Sequence, residues 1–126
     1  EKAYEKGYVE TYYGRRRYLA GLVSGGFRTE RDQERMAINM PIQGTAADVV
    51  KQAMIKVSQL LKNKYNENSV RMLLQIHDEL LFEIADKKDI IESAVKDIKT
   101  AMESVWKGKV LLRADVKMGK NWADLT

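Results

Sequence analysis

Gln75-Ile76-His77-Asp78-Glu79-Leu80 is the stretch on which the fold of this chain turns. It sets the sole histidine beside adjacent carboxylates in the middle of an apolar run. Ahead of it, Val70, Met72, Leu74 and Ile76 alternate with Arg71, Leu73, Gln75 and His77, which is strand periodicity. Behind it, Leu80-Leu81-Phe82-Glu83-Ile84 is a second β-prone run. Two apolar strands hinged at His-Asp-Glu predict a hairpin whose tip displays charge. A buried, unpartnered carboxylate is costly, so the acid pair calls for a metal ion, a cation or water. Asp78 and Glu79 are hard oxygen donors suited to a divalent cation such as Mg²⁺. A solvated turn accounts for the same tripeptide, since Asp is a favoured turn residue. Gln75 and His77 are expected to share a strand face, and a hydrogen-bonded core histidine is the plainer reading of His77.

Upstream of the hairpin, the stripe Ala46, Val49, Val50, Ala53, Met54, Val57, Leu60 and Leu61 has i, i+3, i+4 spacing and predicts a helix with a core face. That helix begins near Thr29 and meets Pro41, which is expected to kink or break it. Asn63 to Ser69 is a polar loop. Downstream, Ile90, Ile91, Ala94, Val95, Ile98, Met102 and Val105 form a second stripe, with Asp89 as a candidate cap and Gly108 as the stop. Val110-Leu111-Leu112-Arg113-Ala114-Asp115-Val116 reads as a closing strand. At the other end, residues 1–7 read as a helix end stopped by Gly7. Tyr8 to Tyr13 and Arg15 to Leu19 form a small hairpin about Gly14, and Gly21 to Gly26 is a loop. The fold class is α+β: a small antiparallel sheet with a motif-bearing hairpin packed against two long helices.

Composition bounds the function. The 126 residues suit one domain or a piece of a larger one, and 44% hydrophobic content is too high for a disordered chain. Lysine and arginine total 22 against 18 acids, a net charge of +4 that permits a nucleic-acid partner without requiring one. With no cysteine there is no disulfide framework and no thiolate metal site. No apolar run reaches the roughly 18 residues of a membrane span, and the charged start has no signal-peptide core. The expectation is a soluble intracellular protein without a membrane partner, cytoplasmic (nucleoid) if bacterial, an organelle being the other setting. The chain lacks an initiator methionine and opens mid-pattern, as if cut from a longer polypeptide.

Arg35, Asn39 and Gln43 stand four residues apart, on one helical face. Arginine suits phosphate, and asparagine and glutamine suit groove-edge acceptors. Gly44, Ala46 and Ala47 keep the nearby backbone lean. A kinked helix with a solvated polar edge shows the same spacing. Arg15-Arg16-Arg17 lies among Tyr12, Tyr13 and Tyr18 and reads first as a solvated basic hairpin, second as a grip on a nucleic-acid backbone.

Taken together, these blocks resemble the carboxy-terminal part of family A DNA polymerases, the DNA polymerase I type. Gly7-Tyr8-Val9-Glu10-Thr11 with Gly14-Arg15-Arg16-Arg17-Tyr18 resembles the family's hairpin. Glu34-Arg35 through Asn39, Pro41 and Gln43-Gly44-Thr45-Ala46-Ala47-Asp48 resembles its long palm-to-fingers helix. Gln75 to Leu80 resembles its third polymerase motif, and Gly119-Lys120-Asn121-Trp122 its usual ending. The resemblance implies that residues 1–126 are one incomplete domain, the palm with its adjoining long helix. It implies template-directed DNA synthesis, in replication or repair, by two-metal nucleotidyl transfer. Asp78 would hold the two catalytic Mg²⁺ ions with a second aspartate, Glu79 would be an auxiliary catalytic carboxylate, and His77 would lie against the primer terminus. Gln43 would touch the minor groove, and Arg35 and Asn39 the template strand. Primer–template DNA, deoxynucleoside triphosphates and the upstream polymerase domains would be the partners.

The family's first motif, its fingers helix, its thumb and any exonuclease domain have no counterpart in these residues. The chain is therefore expected not to polymerise alone, and to self-associate through exposed sheet surface. The alternative is a non-catalytic nucleic-acid-binding module that keeps the helix and hairpin. A metal-dependent nuclease would need more clustered acids; Asp48 and Glu83 are the candidates, and capping or exposed roles suit both better.

Overall fold

A computed structural model of the protein describes residues 6–19 and 27–125. The Gly21 to Gly26 loop and residues 1–5 of the first expected helix lie outside them. The chain divides into two compact units, Glu1–Val49 and Val50–Thr126, with the boundary inside a long helix. The α+β expectation holds, with two two-stranded antiparallel sheets among the described residues.

In the first unit, strands β1 (Tyr8–Glu10) and β2 (Arg16–Tyr18) pair Tyr8 with Tyr18, Val9 with Arg17 and Glu10 with Arg16. The turn between them closes with the Thr11 amide donating to the Arg15 carbonyl at 2.9 Å and that of Gly14 to Thr11 at 3.0 Å. Gly14 has φ +83°, the left-handed region that a residue with a Cβ enters only at a cost. Val9 and Leu19 are buried with Met40 of helix α1 (Phe27–Lys64), with Met36 and Ala37 packed against them.

Helix α1 runs through Pro41 unbroken, contrary to the break considered from the sequence. The proline removes one amide donor, but the turns on either side keep theirs. The Thr45 hydroxyl also donates to the Pro41 carbonyl, four residues back.

The second unit has the larger apolar core. Val57 and Leu61 from α1, Val70 from strand β3 (Val70–Ile76), and Ala94, Ile98 and Ala101 from helix α2 (Lys88–Glu103) are buried together. Met72, Phe82, Ile84, Ile90 and Met102 pack on them. Each valine, leucine or isoleucine side chain stabilises the fold by roughly 1.5–3 kcal/mol on full burial. Ala53, Val57, Leu60 and Leu61 of the first stripe and Ile90, Ala94, Ile98 and Met102 of the second thus enter a core, whereas Val49, Val50, Met54, Ile91, Val95 and Val105 are half-buried outside it and Ala46 is exposed.

Strand β4 (Glu79–Ile84) pairs antiparallel with β3, and the register slips by one between Met72 and Leu74. Leu73 is thus the extra residue of a β-bulge. The simple alternation predicted across β3 stops there. Val70 and Met72 face the core, whereas Leu73 and Leu74 are 48% and 45% exposed.

Three other expectations are corrected. Asp89 does not cap α2: Lys87 occupies the cap position without a side-chain bond, and Asp89 lies in the first turn. There its charge still favours the helix N-terminus. The helix ends before Gly108, because Ser104 takes the cap, its amide donating to Thr100 and its hydroxyl to Ala101. Residues 110–116 form no strand. Alternation selects a face, but a strand also needs a neighbour for its amides, and no described strand pairs with this segment. Val110 and Leu111 are 78% and 83% exposed. A 3₁₀ turn, Trp122–Leu125, follows.

Candidate functional site

The predicted charged tip is present, in tighter form than the sequence implied. Ile76 pairs with Glu79, leaving only His77 and Asp78 in the β3–β4 loop. His77 has φ +54°, and among the described non-glycine residues it alone is positive. A positive φ at the first loop residue and not the second is the sign pattern of a type II′ turn, whose first position favours glycine. Histidine there costs roughly 1–2 kcal/mol of backbone strain. His77 is therefore a loop residue and does not share a strand face with Gln75. It is not a core histidine either, since it is exposed. The Gln75 side-chain amide instead donates to the His77 carbonyl at 2.6 Å, bracing the loop.

His77, Asp78 and Glu79 are all exposed, and no ion pair among the described residues engages either carboxylate. The donor chemistry suits Mg²⁺, which keeps several waters and is commonly held by one or two carboxylates together with substrate phosphates. The described residues gather no group of three or more His, Cys, Asp or Glu side chains able to hold a metal ion. Glu83 is exposed on β4 opposite Arg71 and away from the loop, as expected of a surface residue.

In the first unit, Arg35, Asn39 and Gln43 are exposed on α1 and line one open cleft of about 430 Å³ with Arg15, Arg16 and Arg17. The helical spacing thus gathers the predicted polar edge, and the hairpin supplies its opposite wall. The three arginines are not alike. Arg16 binds Glu10 at 3.1 Å and lies 4.4 Å from the centre of the Tyr8 ring. Its guanidinium is held above its ordinary pKa, first by a hydrogen bond with Tyr18 and then by the field of Tyr8. Arg17 is exposed. Arg15 is not simply solvated: its Nε donates to Asp48 Oδ1 at 2.9 Å and its Nη2 to the Gly44 carbonyl at 3.4 Å.

Asp48 is correspondingly buried, at 8% exposure, and neither caps a helix nor faces water. Sequence reasoning missed this pair because its members are 33 residues apart. The available signal was an acid on the apolar side of a helix, one residue before the Val49–Val50 stripe.

No described helix is long and apolar enough to cross a membrane. The sequence signature of DNA polymerase family A matches residues 1–124. DNA polymerase I of Deinococcus radiodurans is 47% identical over 119 residues, which cover 94% of this chain and 12% of that protein. DNA polymerase I of Bacillus subtilis is 43% identical over 124 residues, 98% of this chain and 14% of that protein. Among solved structures, the POL domain of Pol1 from M. smegmatis, in complex with DNA primer-template and dNTP, superposes with a TM-score of 0.88. The two are 38% identical, and the match covers 98% of this chain and 21% of that one. The chain thus spans about an eighth of the length of these relatives. With a family signature over nearly its whole length and an agreeing backbone, this chain belongs to DNA polymerase family A.

Proposed function

We propose that this chain contributes part of the polymerase site of a family A DNA polymerase and takes part in template-directed DNA synthesis, in replication or repair. Residues 1–126 would be a portion of the polymerase domain, comprising palm and adjoining helix. The observation that carries the reading is Asp78, held at an exposed two-residue apex next to a residue in a left-handed backbone conformation. Strained positions of this kind cluster at functional sites.

The reaction is a nucleotidyl transfer. The primer 3′ oxygen forms a bond to the α-phosphorus of a deoxynucleoside triphosphate, the α–β bridging P–O bond breaks, and pyrophosphate leaves. Bound Mg²⁺ supplies the positive charge that stabilises the attacking and leaving oxygens. Asp78 presents a carboxylate to hold that charge, with Glu79 as an auxiliary acid one residue on. His77 lies against the primer terminus. Gln43 reads minor-groove acceptors, which occupy similar places in every correct base pair. Arg35 and Asn39 contact the template strand. A second carboxylate would come from another part of the polymerase, and the chain alone would be inactive. The setting would be intracellular, at the nucleoid in a bacterium.

Primer extension by the full polypeptide containing this chain tests the reading, with Asp78→Asn as the variant. The substitution keeps size and removes the charge. The expected loss is about a thousandfold in kcat, comparable to removing a major electrostatic contribution, with DNA affinity retained. Binding without extension by the wild type would favour the non-catalytic module instead.

A further inference from the structure

The β1–β2 hairpin bonds directly to the stretch of α1 around Gln43. Pro41 removes one main-chain hydrogen bond two residues before Gln43. From the hairpin, the Tyr12 amide donates to the Thr45 hydroxyl at 2.9 Å, and that hydroxyl donates in turn to the Pro41 carbonyl. Arg15 spans the same turn, with Nε on Asp48 and Nη2 on the Gly44 carbonyl. The Thr11 hydroxyl in turn accepts from the Arg15 amide at 3.2 Å. Gly44 permits the approach: a Cβ there would stand 2.8 Å from Thr11 Cγ2.

We infer that Arg15 is a positioning residue: paired with Asp48 and Gly44, it fixes the helical turn bearing Gln43 so that the Asn39–Gln43 edge meets the base-paired DNA in one register. The inference rests on the proposed polymerase role and adds to it a residue that touches neither substrate nor metal. Two of the guanidinium nitrogens of Arg15, Nε and Nη2, are engaged within the protein. The Arg15 side chain is 48% exposed but that of Asp48 only 10%, so a cation at position 15, arginine or lysine, keeps a buried carboxylate compensated. What arginine supplies is geometry, since a planar fork reaches two acceptors and a lysine ammonium would meet them only as a point charge.

The test uses the full polymerase polypeptide with Arg15→Lys, Gly44→Ala and the exchanged pair Arg15→Asp/Asp48→Arg. For Arg15→Lys, kcat is expected to fall about 10- to 100-fold, the scale of an ångström-sized misplacement. Preference for a matched over a mismatched primer end should shrink with it. DNA affinity and the slope of log affinity against log salt should stay at wild-type values, because no phosphate contact is lost. Gly44→Ala should do the same, although alanine is the better helix former by about 1 kcal/mol, and the exchanged pair should recover part of the lost kcat. The inference is overturned if Arg15→Lys keeps wild-type kcat and mismatch preference, or if its salt slope drops by about one, which marks a phosphate contact. A wild type that cannot extend primers overturns the polymerase role as well. Loss in Asp78→Asn with none in Arg15→Lys overturns only the positioning.

Discussion

The two units are built on different principles. In the first, three buried apolar side chains, Val9, Leu19 and Met40, form the core, and the hairpin is fastened to its helix by Arg15–Asp48, Arg15–Gly44 and Tyr12–Thr45. In the second, six buried residues with seven more packed on them hold helix, hairpin and helix together, and the polar bonds lie around the rim. Apolar burial is non-directional and tolerates small shifts. Hydrogen bonds from a guanidinium fork fix angles as well as distance. The unit whose exposed edge we propose reads a DNA groove is the one secured by directional bonds. The unit that carries the acid at an apex depends on bulk packing to keep the apex in place.

The same substitution placed in each unit tests that contrast most severely. Val57 is wholly buried, and Val57→Ala should cost about 2–3 kcal/mol through lost transfer energy and a cavity. Val9, at 9% exposure in the smaller core, should cost about 1 kcal/mol for the same change. Chemical denaturation of both variants measures the difference, and equal losses would mean that the first unit has more apolar support than its core suggests.

The second unit was the more legible in sequence for the same physical reason. Its stripes at Ala53, Val57 and Leu61, and at Ala94 and Ile98, report burial directly, because periodicity and core are one signal. The hairpin around His77-Asp78 followed from two apolar runs and an acid between them. What periodicity could not show was the bulge at Leu73, which changes register without changing composition. Nor could it show that the loop has only two residues with His77 at positive φ. The polar edge Arg35–Asn39–Gln43 was legible as spacing, but its opposite wall was not. Arg15 reads as one of three equivalent arginines until the fold brings it to Asp48. The segment 110–116 was misread as a strand because alternation names a face and says nothing about a partner.

A smaller effect is expected from the polar rim of the second unit. Asp97 accepts from Lys64 Nζ at 2.6 Å and from the Tyr65 hydroxyl at 2.7 Å. Since that hydroxyl donates to the carboxylate, its 2.7 Å contact with Ser93 has the serine as donor. The Lys64 bond, then the Tyr65 bond, hold the Asp97 carboxyl below its ordinary pKa. A lowered carboxyl pKa gives stability that is present above the unfolded value, about 4, and is lost as pH falls through the folded value. Thermal midpoints measured across that acid range should therefore fall less steeply for Asp97→Asn than for the wild type. At neutral pH the variant should lose far less than Val57→Ala, since the pair is partly exposed and screened. An unchanged acid limb would remove Asp97 from the forces that hold this unit.

The smallest expected change sits at the apex itself, where the second unit departs from its own regularity. Glycine at position 77 relieves the strain of φ +54°, worth roughly 1–2 kcal/mol. It also frees the unfolded chain, which offsets about 0.4–1 kcal/mol of that gain. His77→Gly should then be more stable than the wild type by roughly 0–1.6 kcal/mol, whereas His77→Val, β-branched at a positive φ, should be clearly less stable. Primer extension should move the other way and fall in His77→Gly, if the imidazole lies against the primer terminus as proposed. A gain in stability together with a loss in extension marks strain retained for function. A variant that is both more stable and fully active would instead make the histidine incidental and leave the apex defined by Asp78 alone.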